Sequence, residues 1–149
     1  MQNVEKDFWV CWVLDVLFNG MGEGHPRLLF KGGTSLSKSF GLIDRFSEDI
    51  DITVFRDDLG EPASIQDLEA LSGKKRRARL DAIRVACQAF INGPFLKTFD
   101  EVLTAEMRSA RIAPTRYRAE SDAEDADQQT VLFWYPVVTA GASPYIRSA

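Results

Sequence analysis

Two stretches decide how this chain is read: Lys31-Gly32-Gly33-Thr34-Ser35-Leu36-Ser37-Lys38 and, further along, Ser47-Glu48-Asp49-Ile50-Asp51-Ile52-Thr53-Val54-Phe55. The first follows Arg27-Leu28-Leu29-Phe30, a short apolar run that predicts a strand. At the two glycines the pattern changes to that of a short helix, beginning at Thr34 and stopping near Gly41. The second stretch alternates from Ile50 to Phe55 and is rich in β-branched residues, which predicts another strand. The order is strand, Gly-Gly turn, helix, connection, strand.

Chemistry-bearing residues sit at both junctions. Side chains on a strand alternate faces, so Asp49 and Asp51 can point at one spot. There their mutual repulsion is relieved by a hard divalent cation, Mg²⁺ or Mn²⁺, that takes oxygen ligands. The plain alternative is a solvated strand end. Gly32 and Gly33 let backbone N–H groups approach phosphate oxygens, the following helix N-terminus favours negative charge, and Thr34 or Ser35 can donate from the side chain. The plain alternative here is an ordinary tight turn. A triphosphate needs a cradle on one side and metal on the other, and neighbouring strands would bring both to one pocket. Lys31, Lys38 and Arg45 are the nearby cations. Lys38 reads equally as a solvated surface charge, and Arg45 as an ion-pair partner of Asp44 or Glu48.

Outward from this centre, Val4 to Phe18 places apolar groups on nearly every face and predicts a helix buried on most sides, stopped by Asn19-Gly20. Asp57 to Ala63 reads as loop. A helical stretch begins at Ser64, a plausible N-cap with Asp67 at the capping-box position, and pauses at Ser72-Gly73. The next helix, about Lys75 to Ile91, sets Leu80, Ile83, Cys87 and Ile91 on one face and ends at Asn92-Gly93-Pro94. A further helix from Phe95 to Ser109 spaces Leu96, Phe99, Leu103 and Met107 for burial. Pro114 to Asp127 is polar and acidic and reads as a loop, and Gln129 to Tyr135, closed by Pro136, as an aromatic strand. The expected class is α+β, a small mixed sheet packed by helices, in one domain spanning residues 1–149.

Composition narrows the function classes. With 18 basic against 22 acidic residues the formal charge is −4, so nucleic-acid contact must be a local patch and not a property of the whole surface. Cys11 and Cys87 are isolated in apolar segments and read as buried free thiols, which fits a reducing cytoplasm better than a disulfide framework. The most apolar run, Phe8 to Phe18, is interrupted by Asp15 and too short to span a bilayer, so no membrane association is expected. The single histidine, His25, lies in a Gly-rich loop and reads as an exposed residue.

The block Phe30 to Lys38, followed by Arg45-Phe46-Ser47-Glu48-Asp49-Ile50-Asp51-Ile52, resembles the nucleotidyltransferase AbiEii/AbiGii toxin family, whose core is similar to that of DNA polymerase β. Glu5-Lys6-Asp7-Phe8-Trp9-Val10 and Trp12-Val13-Leu14 resemble the N-terminal helix of that family, so the likeness covers roughly residues 4 to 55. The resemblance implies a Mg²⁺-dependent (or Mn²⁺-dependent) enzyme that moves a nucleoside monophosphate from an NTP to a hydroxyl of RNA, such as a tRNA end, or of protein. The setting it implies is toxin–antitoxin or phage-defence biology, with a cognate antitoxin as partner. It assigns Gly32, Gly33, Thr34 and Ser35, with Lys31 and Lys38 beside them, to the triphosphate, and Asp49 and Asp51 to catalytic metal. Such cores usually add a third carboxylate from a later strand. The aromatic strand holds no acid, and Pro144-Tyr145-Ile146-Arg147 looks like the approach to a strand that the chain does not supply. The expectation is a chain truncated at its C-terminus, with Asp127 as the alternative source of the acid.

A basic run remains, Lys74-Lys75-Arg76-Arg77-Ala78-Arg79 with Arg84, offset by Asp81. It reads either as an RNA-backbone patch or as a solvated helix face neutralised by the acidic segment 120–127. Two further functions compete with transfer: a truncated, non-catalytic module that binds nucleotide or a partner protein, and a phosphohydrolase using the same acidic pair.

Overall fold

The computed structural model describes residues 2–31, 49–137 and 145–148. Helix α1 (Gln2–Asp15) continues into a π-helical turn, Val16–Gly20, and the chain then turns through Gly22 and Gly24, both at positive φ where a side chain would be strained. Val10, Val13 and Leu17 recur at helical spacing and are buried. Val4 (71% exposed), Phe8 (59%) and Cys11 lie on the other side of the cylinder in solvent. This corrects the expectation of a helix buried on most sides and of a buried Cys11 thiol. The core covers one stripe of α1, and Val4, Phe8 and Cys11 lie half a turn from it. Cys87 is half-buried, and burial raises its thiol pKa.

Five strands form one mixed sheet: β1 (Leu28–Lys31), β2 (Asp49–Val54), β3 (Arg118–Ser121), β4 (Val131–Trp134) and β5 (Tyr145–Ser148), in spatial order β1-β2-β5-β4-β3. β2 runs antiparallel to β1 and parallel to β5, and β4 is antiparallel to both β5 and β3. The presence of β5 corrects the expectation that the chain lacks this strand. One face of the sheet carries Ile50, Val131, Phe133 and Ile146, all buried. Against it pack α1 and the long helical arm α3 (Gly73–Phe90) and α4 (Leu96–Ser109). Trp9, Trp12, Phe99, Phe133 and Tyr135 interlock there, with centroids 5.5–6.4 Å apart in stacked, tilted and edge-on pairs. This combination of helices and sheet is α+β.

The helical stop expected at Asn92-Gly93-Pro94 is not made. The chain runs from α3 to α4 through a π-helical turn, Ile91–Phe95. Proline has no N–H to offer the ladder, and beside it the Asn92 side-chain amide donates to the Gln88 carbonyl (2.9 Å) and, across to the β3–β4 turn, to the Gln128 carbonyl (2.8 Å). Ile91 and Phe95 on this turn are buried, so tertiary packing outweighs the local breaker signal. The polar segment 114–127 likewise holds more structure than a loop: it contains β3, in which Ala119 packs toward the core while Arg118 and Glu120 face the other way. Its acids cap backbone amides. Asp122 accepts from Glu124 N, and Asp125 from Asp127 N and Gln129 N.

The short helix α2 (Ile65–Ala70) starts at Ser64, whose hydroxyl accepts from Asp67 N while Asp67 accepts from Ser64 N, the capping box expected from the sequence. A 3₁₀ turn, Arg56–Leu59, follows β2. Asp58 binds Arg27 there through its N–H and guanidinium, joining the start of β1 to the end of β2. Among the described residues no helix is long and apolar enough to cross a membrane.

Candidate metal and phosphate site

Strand β2 is oriented by its apolar residues. Ile50 is fully buried (0% exposed), and Ile52 and Val54 pack against the same core. Period-two alternation therefore assigns Asp51 and Thr53, both half-buried, to the opposite face, and position 49 shares their parity. The antiparallel register sets Lys31 opposite Asp51. The parallel register sets Arg147 opposite Asp49. Directly opposed positions in an antiparallel ladder lie about 4.5–5.5 Å apart at Cα. The carboxylate pair thus occupies a row of four positions whose flanks are basic, with formal charges that cancel. Sequence reasoning missed Arg147, because Tyr145-Ile146-Arg147-Ser148 shows the alternation of a strand but not which strand it pairs with.

The side chain of Asp51 and the backbone positions of Lys31 and Asp49 are what the structure adds to the site. Gly32, Gly33, Thr34, Ser35 and Lys38, the expected helix at Thr34 to Gly41, and Arg45 with Asp44 and Glu48 lie outside the described residues. β1 delivers the chain to position 31 directly opposite Asp51, so the strand that precedes the Gly-Gly element and the strand that carries the acids are hydrogen-bonded neighbours. That is the arrangement a shared pocket requires.

The donor set fits Mg²⁺ in one respect. Among the described residues no group of three or more His, Cys, Asp or Glu side chains could hold a metal ion. Mg²⁺ is commonly held by one or two carboxylates, with substrate phosphates and water completing an octahedron, so two strand carboxylates suffice for the protein's share. A third acid does not come from β4, whose residues are Val131-Leu132-Phe133-Trp134. Asp127 is exposed in the β3–β4 turn, and its carbonyl accepts from Gln88 of α3 (2.7 Å). The turn is thereby tied to the helical side of the sheet, away from the face of Asp51.

The basic run divides by role. Arg76 donates to the carbonyls of Leu68 (2.7 Å), Glu69 (3.0 Å) and Leu71 (3.3 Å), closing the C-terminal end of α2. Arg79 pairs with Glu61 and donates to the Pro62 carbonyl (2.8 Å). Arg84 pairs with Asp81 (3.3 Å). Lys74, Lys75 and Arg77 are exposed and make no ion pair or side-chain hydrogen bond among the described residues. The acidic segment does not neutralise them, because it contacts α3 at Gln88 and Asn92 beyond its far end.

A family model described as nucleotidyl transferase AbiEii toxin, type IV toxin–antitoxin system, matches residues 15–148. No curated protein and no solved structure matches the chain.

Proposed function

Since the chain belongs to the AbiEii nucleotidyl transferase toxin family, a family of nucleotidyl transfer in toxin–antitoxin systems, we propose that it is a divalent-metal-dependent enzyme. It moves a nucleoside monophosphate from an NTP to a hydroxyl of RNA or protein and releases pyrophosphate. The observation that carries this reading is the register of β2: Asp51 and position 49 share the face turned away from the core, with Lys31 and Arg147 at the neighbouring positions.

Asp49 and Asp51 would hold Mg²⁺ or Mn²⁺, which when bound polarises the phosphoryl group and eases ionisation of the attacking hydroxyl. The carboxylates fix where that charge sits. Lys31, Lys38 and the Gly32-Gly33-Thr34-Ser35 element bind the triphosphate, and the basic position at Arg147 offsets negative charge on the β5 side. The polymerase β-like core, a cytoplasmic location, a cognate antitoxin and a role in phage defence belong to the same proposal.

The test is incubation with each labelled NTP and total RNA or total protein in Mg²⁺. Label enters an acceptor with pyrophosphate release, and Asp49→Ala/Asp51→Ala abolishes it. Equal incorporation by the double variant overturns the proposal. One observation favours a second reading, a module that binds nucleotide or a partner without turnover: the described strand beside β2 brings Arg147, not an acid, opposite Asp49. Calorimetry with Mg²⁺-NTP separates the two, since binding without incorporation selects the second.

A further inference from the structure

We propose that Arg118 and Trp134, on the outward face of the sheet, form the stacking platform for the base of the nucleoside triphosphate. This rests on the proposed transferase activity and says where on the sheet its nucleotide lies.

Parity puts the platform on the face of the acidic pair. In β4 Val131 and Phe133 are buried, so Leu132 and Trp134 belong to the opposite side, as do Arg118 and Glu120 of β3, where Ala119 packs toward the core. Ile50 and Ile146 set the core face of β2 and β5, so positions 49, 51 and 147 share the outward face with Trp134. Strand register then fixes the order. Position 49 pairs with 147, 147 with 132, and 145 with 134, so Trp134 stands two strands across and two residues along from Asp49. With strands about 4.8 Å apart and about 3.3 Å per residue, that is about 12 Å from Asp49 and about 20 Å from Lys31. Lys31, the acidic pair, Arg147 and Trp134 therefore follow one another along one diagonal of the sheet. An extended nucleoside triphosphate has the same order of parts: terminal phosphates, the phosphate at the metal, sugar and base.

The aromatic end of that diagonal is held in place by three contacts. The Arg118 guanidinium carbon lies 4.5 Å over the Trp134 ring centroid, Trp134 Nε1 donates to Glu120 (2.8 Å), and Arg118 Nε pairs with the same carboxylate (3.3 Å). Trp134 is half-buried, whereas the Arg118 side chain is 59% exposed, so the guanidinium is the layer that a ligand meets and the indole positions it. A guanidinium is planar and weakly hydrated, and a base of any identity stacks on it. Surrounding charge sets the direction of the nucleotide. A cleft of about 370 Å³ opens beside the platform, lined by Leu132, Trp134, Glu120, Asp122 and Glu124 among others. Its carboxylates repel phosphate, which leaves the phosphates toward Lys31 and Arg147 and the uncharged base at the platform.

The experiment is calorimetry of the full chain in Mg²⁺ with ATP, GTP, CTP and UTP, set against inorganic tripolyphosphate, which carries phosphates and no base. The parent should bind at least one of the four at least about 5-fold more tightly than tripolyphosphate. Arg118→Gln and Trp134→Leu should each weaken that NTP by about 5- to 150-fold and leave tripolyphosphate affinity as it was. Trp134→Phe keeps a ring beneath Arg118 and should recover most of the loss. Should Trp134→Leu fold poorly, Arg118→Gln decides, because it alters a side chain that lies mostly in solvent. Equal affinity of the parent for NTP and tripolyphosphate, unchanged NTP affinity in Arg118→Gln, or a parallel fall for both ligands overturns the platform while leaving the metal and phosphate site standing. No binding of either ligand by the parent overturns the transferase reading and the platform with it.

Discussion

At the scale of single residues, Asp51 carries the most testable chemistry. Asp51→Asn keeps the volume and the strand position but removes the anionic oxygen that a hard cation needs. Metal-assisted stabilisation of phosphoryl charge is worth several kcal/mol, so incorporation of labelled nucleotide should fall on the order of 10²- to 10³-fold, with the melting temperature of the apo protein little changed. A variant that retains more than a tenth of the activity would remove Asp51 from the metal site. Other acids act on the fold. Hydrogen bonds from Arg27 to Asp58 lower that carboxyl's pKa, bonds with Ser64 lower that of Asp67, and the Gln129 amide, the Thr130 hydroxyl and further amides lower that of Asp125. A folded-state pKa below the unfolded one stabilises the protein above the ordinary carboxylate range, about 3.9 for Asp, and that stabilisation is lost as pH falls through the folded value. Melting temperature should therefore hold steady down to about pH 5 and drop below about pH 4. Asp125→Asn should flatten the drop, and an identical profile would assign the acid transition to other groups.

Among the elements, α2 and α3 show how neighbouring arginines of one run divide their work. Arg76 reaches back to three carbonyls at the C-terminal end of α2, where a six-residue helix runs short of internal donors; that of Leu68 also accepts from Leu71 N at 3.4 Å. Arg77 points its charge into solvent. Arg76→Ala should cost about 1–3 kcal/mol through lost charge-assisted hydrogen bonds, while Arg77→Ala should stay within about 0.5 kcal/mol. Arg76→Lys should recover little, because an ammonium cannot span three carbonyls as a planar fork does. Urea midpoints for the three variants check this, and equal losses at 76 and 77 would refute the division. The cap at Ser64 was legible in the sequence because a capping box is a local pattern. The passage from α3 to α4 was not: Asn92-Gly93-Pro94 is a strong local stop, and it is overridden by burial of Ile91 and Phe95 and by the Asn92 amide, contacts made with residues distant in the chain. β3 was hidden for a similar reason, since Glu120 and the acids of the turn after it read as loop composition, whereas Glu120 accepts from the Trp134 indole of β4 and Asp125 from the Gln129 amide within the turn.

For the whole molecule, strands around the acidic pair were legible because alternation and β-branching are written into each segment, but the row they form was not. Arg147 reaches the position opposite Asp49 only through a parallel pairing across nearly a hundred residues, and no periodicity within a segment specifies its partner. The same separation of local pattern from long-range packing governs stability. The sequence marks the apolar groups of Val4 to Phe18, on nearly every face, and Leu96, Phe99, Leu103 and Met107 alike for burial, yet only one side of α1 meets the sheet. Leu103 (0% exposed) lies in α4, in the core with Phe99, Phe133 and Ile146, so Leu103→Ala leaves a cavity among side chains that cannot all close on it and should cost about 2–5 kcal/mol. Val4, on the outward stripe of α1, loses no core contact on replacement, and Val4→Ser should change stability by less than about 0.5 kcal/mol. Chemical denaturation reads both, with the midpoint falling for Leu103→Ala at an unchanged m-value. A loss at Val4 as large as that at Leu103 would mean that the outward stripe of α1 is covered in solution, and sedimentation of the parent would then show a species larger than the monomer.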